Sequence, residues 1–149
     1  ILINNAGLLN HDELGELDSR MLRAQYEVNA IAPLRVTETL LDNLEGGSKV
    51  ALITSRMGSI DDNGSGSRYG YRMSKAALNA AGKSLAIDLK DKAIAVVLLH
   101  PGYVQTEMVG GRGDISPATA AERLMQRIDE LTIETSGSFF HSNGEELPW

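Results

Sequence analysis

Two apolar runs constrain this chain more than anything else in it. Val50-Ala51-Leu52-Ile53 and Ile94-Ala95-Val96-Val97-Leu98-Leu99 carry no polar residue at any alternate position. A strand with one wet face alternates apolar with polar, so unbroken runs belong to strands covered on both faces, the usual condition in a parallel sheet. The segments between them have helical spacing. From Asp18 to about Leu44, the residues Leu22, Tyr26, Asn29, Pro33, Val36 and Leu40 recur every three or four positions, and Asp18 is a suitable N-cap. A second helix is expected from about Tyr69 to Lys90. A third runs from Ser116-Pro117, an N-cap followed by proline in the first turn, to about Leu131. Ile1–Asn4 and Gly137–His141 read as short strands flanking the two long ones, Lys49–Thr54 and Ile94–Leu99. Strand, helix, strand, helix, strand, helix, strand predicts a single α/β domain over residues 1–149, a parallel sheet with helices on both faces.

The connections add detail. Glu45-Gly46-Gly47 supplies a glycine C-cap for the first helix. The loop from Arg56 to Arg68 is long and rich in Gly, Ser and Asp, the kind of insertion that often carries function. Ala76, Ala77, Ala80, Ala81 and Gly82 keep the second helix slim enough to lie close to a sheet, and the Gly-rich residues 103–115 are expected to be mobile. The chain opens at Ile1-Leu2-Ile3, already inside a strand and with no initiator Met, so it is expected to be the C-terminal part of a longer domain.

Composition narrows the function classes. A net charge of -6 with no Lys/Arg run argues against a nucleic-acid partner. The absence of cysteine excludes a disulfide framework and thiolate metal ligation. No apolar run approaches the roughly 20 residues of a membrane span, so no membrane partner and a cytoplasmic location are expected. His11, His100 and His141 are scattered without ligand spacing, and no metal site is expected.

The chemistry gathers where the second strand ends. Ser55 terminates that strand, and Tyr71 and Lys75 stand four residues apart, hence on one helix face one turn apart. A bare Y-x-x-x-K commonly marks a solvated helix pair, and a lone Ser55 a strand-end hydroxyl; their conjunction is what counts. A phenol that ionises at about 10 is a poor base at neutral pH. A neighbouring ammonium favours phenolate and moves it toward the working range, while a serine hydroxyl holds the reacting oxygen. Pro33 lies four residues after Asn29 and has no N–H, so it cannot bond the Asn29 carbonyl and should kink the helix there. A carbonyl freed in this way would hold a water and extend a proton relay from Lys75 to solvent.

Taken together, Asn4-Asn5-Ala6-Gly7, Asn29, Ser55, Tyr71-x-x-x-Lys75 and Pro101-Gly102-x-Val104-x-Thr106 resemble, in order, the short-chain dehydrogenases/reductases. The residues around Ser55 and Tyr71 and the Leu-Pro-Trp ending are similar to the carbonyl-reductase and C-factor branch. The resemblance implies a Rossmann-like fold and hydride transfer between NAD or NADP and a small-molecule carbonyl or alcohol. It implies that Tyr71 is the general acid/base, Ser55 the substrate-oxygen partner, Lys75 the pKa modifier and ribose ligand, and Asn29 the holder of the relay water. Asn5, Ala6 and Gly7 would line the adenosine side of the cofactor, with Tyr71 and Lys75 at the nicotinamide ribose. The backbone of Pro101, Gly102, Val104 and Thr106 would hold the carboxamide. Tyr69 is a competing phenol, but Met73 stands four residues after it where an ammonium would be needed.

Two departures from the family pattern matter. The interval from Ser55 to Tyr71 is longer than usual. The Gly-rich turn that cradles the pyrophosphate at a helix N-terminus is absent, so the sequence matches a Rossmann-like domain lacking its N-terminal dinucleotide-binding βαβ portion. Ile1–Asn4 would then be an unpaired apolar edge. Two functions follow as expectations: an NAD(P)-dependent oxidoreductase, or a catalytically incompetent fragment serving only as a dimerisation or interaction module. In either case a homo-oligomer through the helices at 18–44 and 69–90 is expected from the family.

Overall fold

The computed structural model describes residues 1–149. Its strands are β1 (Leu2–Asn4), β2 (Lys49–Ile53), β3 (Ala95–His100) and β4 (Ser138–His141). They form one sheet in the order β1-β2-β3-β4, and every neighbouring pair is parallel. The register sets Leu2 beside Val50, Val50 beside Val96, and Leu98 beside Phe139. The helices are α1 (Ser19–Tyr26), α2 (Ala32–Thr39), α3 (Tyr69–Asp88) and α4 (Pro117–Glu130).

Period-two alternation divides the apolar runs between two cores. Val50, Leu52, Val96, Leu98 and Phe139 meet Ala30, Leu78, Ala86 and Leu89 on the face covered by α2 and α3, with α1 packed on α3. Ala51, Ile53, Val97 and Leu99 meet Ile128 and Leu131 of the α4 side. Both faces are therefore dry, which is why neither long strand carries a polar alternation. The small residues of α3 act as expected: a Cβ on Gly82 would lie 2.7 Å from a Leu52 methyl and 2.8 Å from one of Leu98, so the helix lies directly on the sheet.

The caps match the sequence. Asp18 accepts from the Arg20 N–H at 2.8 Å, and Ser116 accepts from the Thr119 N–H at 3.1 Å. The first long helix differs from expectation. Between α1 and α2, residues Glu27–Ile31 are π-helical, with the Ala32 N–H bonded five residues back to the Glu27 carbonyl. Pro33 withholds one donor from the ladder, and the helix accommodates the loss with a wide turn where a simple proline kink was expected. The helical run ends earlier too, in a 3₁₀ turn at Leu41–Asn43, so Gly47 (φ +89°) serves the turn into β2 and is no helix cap.

Residues 103–115, expected to be mobile, form a self-bonded loop. Val104 bridges Ile115, the Gln105 N–H donates to the Ile115 carbonyl at 3.0 Å, and Glu107–Val109 is a 3₁₀ turn. The C-terminal segment closes the outer edge of β4. The Leu147 N–H donates to the Phe139 carbonyl, Trp149 packs on Phe139 with ring centroids 5.5 Å apart, and the Asp61 N–H donates to the Trp149 carbonyl.

Candidate active site

Parallel strands end their C-termini on one side of the sheet, and that side collects the candidate residues. Ser55 follows β2, extended at φ -151°, and its hydroxyl oxygen accepts the Met57 N–H at 3.1 Å, capping the 3₁₀ turn Arg56–Gly58. That turn presses on α3: a Cβ on Gly58 would stand 2.7 Å from the Lys75 carbonyl carbon, a space only glycine leaves open. Helix α3 buries Tyr71, Ser74, Lys75, Leu78, Asn79, Gly82 and Ala86. This is one stripe at three- and four-residue spacing, so the packing that seats the helix also aims Tyr71 and Lys75 inward.

Ser55, Tyr71 and Lys75 converge. Both Ser55 and Tyr71 are buried at this end of the sheet, and the Ser55 hydroxyl is near enough to the Tyr71 phenol to lower its pKa. The Lys75 ammonium stands 5.8 Å from the Tyr71 ring centroid and donates to the Ile53 carbonyl at 2.8 Å. The Thr54 hydroxyl adds a bond to the Asn79 amide oxygen at 2.7 Å, tying the end of β2 to α3 a turn beyond Lys75. The electrostatics depart from the sequence expectation. Burial pushes the Tyr71 phenol above its ordinary value, with the Ser55 hydrogen bond pulling the other way, so the phenol is not drawn down toward neutrality here. Burial also lowers Lys75 to about 8, which reduces the fraction of ammonium available to stabilise a phenolate.

Asn29 lies in the π-helical turn and is fully buried. Its side-chain oxygen accepts the Leu8 N–H at 2.7 Å; its amide donates to the Leu8 carbonyl at 2.8 Å and the Ser74 hydroxyl at 2.9 Å. The side chain is thus a bracket between the loop after β1 and α3, with both amide hydrogens committed. Any relay water would be held by the backbone.

Asn5, Ala6 and Gly7 follow β1 and are exposed. A Cβ on Gly7 would lie 3.6 Å from the Asn29 side-chain oxygen, 3.8 Å from Lys75 Nζ and 3.8 Å from the Met108 methyl. The candidate cofactor-lining turn therefore meets Lys75, and the loop after Thr106 reaches the same place. Pro101 and Gly102 follow β3, and the Ser142 hydroxyl donates to the Pro101 carbonyl at 2.8 Å. Val104 and Thr106 are held within the 103–115 loop, where the Thr106 carbonyl accepts from the Val109 and Gly111 N–H groups.

Sequence reasoning missed two features. His100 and His141, forty-one residues apart in the chain, are register partners at the ends of β3 and β4, with rings edge to face at 4.9 Å. Burial, then His141 and Arg56, lower His100 to about 3, which keeps it neutral. Asp12 and Gln25 are buried polar residues joined to each other and to the start of α3. Parallel register could have paired the histidines on paper; nothing local marks Asp12, whose partner Gly70 is 58 residues away.

Residues 1–130 match the family model described as short chain dehydrogenase. The chain is 45% identical, over 97% of its length, to 1-hydroxy-2-glutathionyl-2-methyl-3-butene dehydrogenase of Rhodococcus sp. (strain AD45), and spans 66% of that protein. It is 43% identical to the C-signal protein of Myxococcus xanthus, covering all of this chain and 92% of that one. Among solved structures, an NADPH-bound carbonyl reductase from chicken fatty liver superimposes with a TM-score of 0.90 at 28% identity, over 99% of this chain and 65% of that one. The chain thus spans about two thirds of the length of the first and third of these proteins, and the chain belongs to the short chain dehydrogenase family.

Proposed function

We propose that this chain carries the proton-transfer and substrate half of an NAD(P)-dependent oxidoreductase that interconverts a small carbonyl and its alcohol. The observation that supports this most is the meeting of the Ser55 hydroxyl, the Tyr71 phenol and the buried Lys75 amine at one end of a parallel sheet. A bound nicotinamide would supply or accept the hydride. Lys75 fits a polar ligand of that kind: an ammonium has three donors, and here a single bond, to the Ile53 carbonyl, is recorded. The open backbone at Gly7 beside Lys75 Nζ gives room for a sugar hydroxyl. Asn5, Ala6 and Gly7 would line the adenosine side, and Pro101, Gly102, Val104 and Thr106 would hold the carboxamide.

In the reductive direction Ser55 accepts or donates a hydrogen bond at the substrate oxygen, and Tyr71 gives that oxygen its proton as negative charge builds there. Burial serves this direction, because a phenol held above its ordinary value stays protonated through the neutral range. Lys75 then favours the phenolate that remains, and solvent returns the proton through the Asn29 turn. No helix is long and apolar enough to cross a membrane. Leu34 and Val36 of α2, Leu40 just after it, and Met73 and Ile87 of α3 are exposed, which supports self-association through the helices at 18–44 and 69–90.

The test is a titration of NADH and NADPH against this chain and against a form extended at its N-terminus, followed by assay of carbonyl reduction. Binding and reduction by the extended form, with reduction lost on Ser55→Ala and Tyr71→Phe, is the expected result. Binding of neither nucleotide by either form overturns the proposal and leaves the interaction-module reading.

A further inference from the structure

We propose that Asp12 is the positioning residue for Tyr71: its carboxylate supplies the cap that α3 lacks, and Gln25 holds the carboxylate there. This rests on the reading of Tyr71 as the proton-transferring phenol.

Helix α3 starts badly on its own. Its N-cap residue, Arg68, has φ +51° and makes no side-chain capping bond, and Ser67 before it also has φ +51°. Two successive non-glycine residues in the left-handed region persist only where their surroundings over-determine them. Asp12 does so through two groups. Its backbone carbonyl accepts the Arg68 N–H at 2.8 Å, and its Oδ2 accepts the Gly70 N–H at 2.9 Å. Gly70 is the second residue of the helix, where an N-cap side chain ordinarily delivers its bond. The cap has been moved to another loop.

Gln25 completes the arrangement. Its Nε2 donates to Asp12 Oδ1 at 3.2 Å and its Oε1 accepts the Asn10 N–H at 2.9 Å. Asp12 is 3% and Gln25 0% exposed, so neither is retained for solubility, and each would be costly to bury unpaired. A Cβ on Gly70 would overlap the Gln25 amide, so Gln25 packs directly on the first turn of α3. Asn29 repeats the device further along, tying Leu8 to Ser74. Each bracket ends on the residue immediately before a candidate reactive one: Gly70 before Tyr71, and Ser74 before Lys75. Loop 8–12 is therefore the template against which the phenol and the amine are set.

The experiment compares Asp12→Ala with the double exchange Asp12→Asn/Gln25→Glu in the N-terminally extended protein. The double exchange keeps an oxygen for the Gly70 N–H, an acceptor for Asn10 and a reversed amide–carboxylate bond between the two side chains. Asp12→Ala is expected to lower kcat for a panel of aldehydes and ketones by about 10- to 100-fold, with KM for the nucleotide within about twofold. The double exchange restores most of the kcat. Should Asp12→Ala fail to fold, Asp12→Asn alone, which sets two amide donors against each other, is read the same way. A second readout needs no activity: ultraviolet alkaline titration of Tyr71, taken as the difference from the matching Tyr71→Phe protein. Asp12→Ala should move it down, as the loosened turn lets water reach the ring. Unchanged kcat, or loss of kcat and KM alike without rescue, overturns the proposal. If the parent protein reduces no carbonyl, the enzyme reading fails, and an unmoved Tyr71 titration then decides against Asp12 by itself.

Discussion

At the residue scale the tension lies in Lys75. An ammonium with a single recorded bond is poorly placed in a protein interior, and its lowering from 10.5 to about 8 expresses that cost. The stability consequence has a definite sign. Between about 8 and 10.5 the unfolded chain keeps the lysine proton that the folded chain has released, so stability rises with pH across that window. Tyr71, raised above 10, acts oppositely at higher pH, because there the unfolded chain gives up its phenol proton first. Urea unfolding from pH 8 to 10 should show a rise on the order of 2 kcal/mol that Lys75→Met removes. A flat profile in both proteins would contradict the burial of the amine. The pairing of Tyr71 with Lys75 was legible from a spacing of four, since helix geometry is local. The direction of the phenol's shift was not, because desolvation depends on what covers the ring.

At the element scale, two glycines show how the site is seated. Gly82 admits Leu52 and Leu98 to the surface of α3, so Gly82→Ala overpacks that face and should cost about 1–3 kcal/mol in chemical unfolding. Gly58 faces the Lys75 backbone, which cannot step aside. Gly58→Ala should therefore displace the Arg56–Gly58 turn together with Ser55, lowering turnover at least 10-fold while nucleotide binding persists. Assay of kcat beside a binding titration separates the two. The slimness of α3 was readable from its alanines and glycine. The π-helical turn was half readable: Pro33 announces a lost hydrogen bond, but whether a helix answers with a kink or a wider turn depends on what the neighbouring side chains hold. Here Asn29, at the centre of that turn, is held by Leu8 and Ser74, contacts remote in sequence.

At the scale of the whole molecule, the two sheet edges are unequal. The outer edge of β4 is covered by the antiparallel contact of Phe140 with Glu146 and by the buried Leu147. The outer edge of β1 pairs with nothing in this chain, and Ile1 and Ile3 are exposed beside it. Leu147→Ala should cost about 2 kcal/mol or more, read as a lower urea midpoint, because it opens a cavity against the Phe139 core. With that edge open, the chain should associate with rising concentration in sedimentation beyond any pairing through the helices at 18–44 and 69–90, and a charged residue in place of Ile3 should reduce that further association. The strand–helix alternation made this architecture legible, and the unbroken apolar runs predicted two dry faces. The covering of β4 by the tail was not foreseen, since Leu147-Pro148-Trp149 reads only as an apolar ending until Phe139 is placed beneath it.

The central claim is that Tyr71, and no other phenol, transfers the proton. Single-turnover reduction of a carbonyl by the extended protein and NADPH or NADH, comparing Tyr71→Phe with Tyr69→Phe, tests it most directly. The account predicts a loss of roughly 10²- to 10⁴-fold for Tyr71→Phe and near-parental rates for Tyr69→Phe, whose phenol has Met73 where Lys75 serves Tyr71. Equal rates for the two variants, or a larger loss at Tyr69, would contradict it.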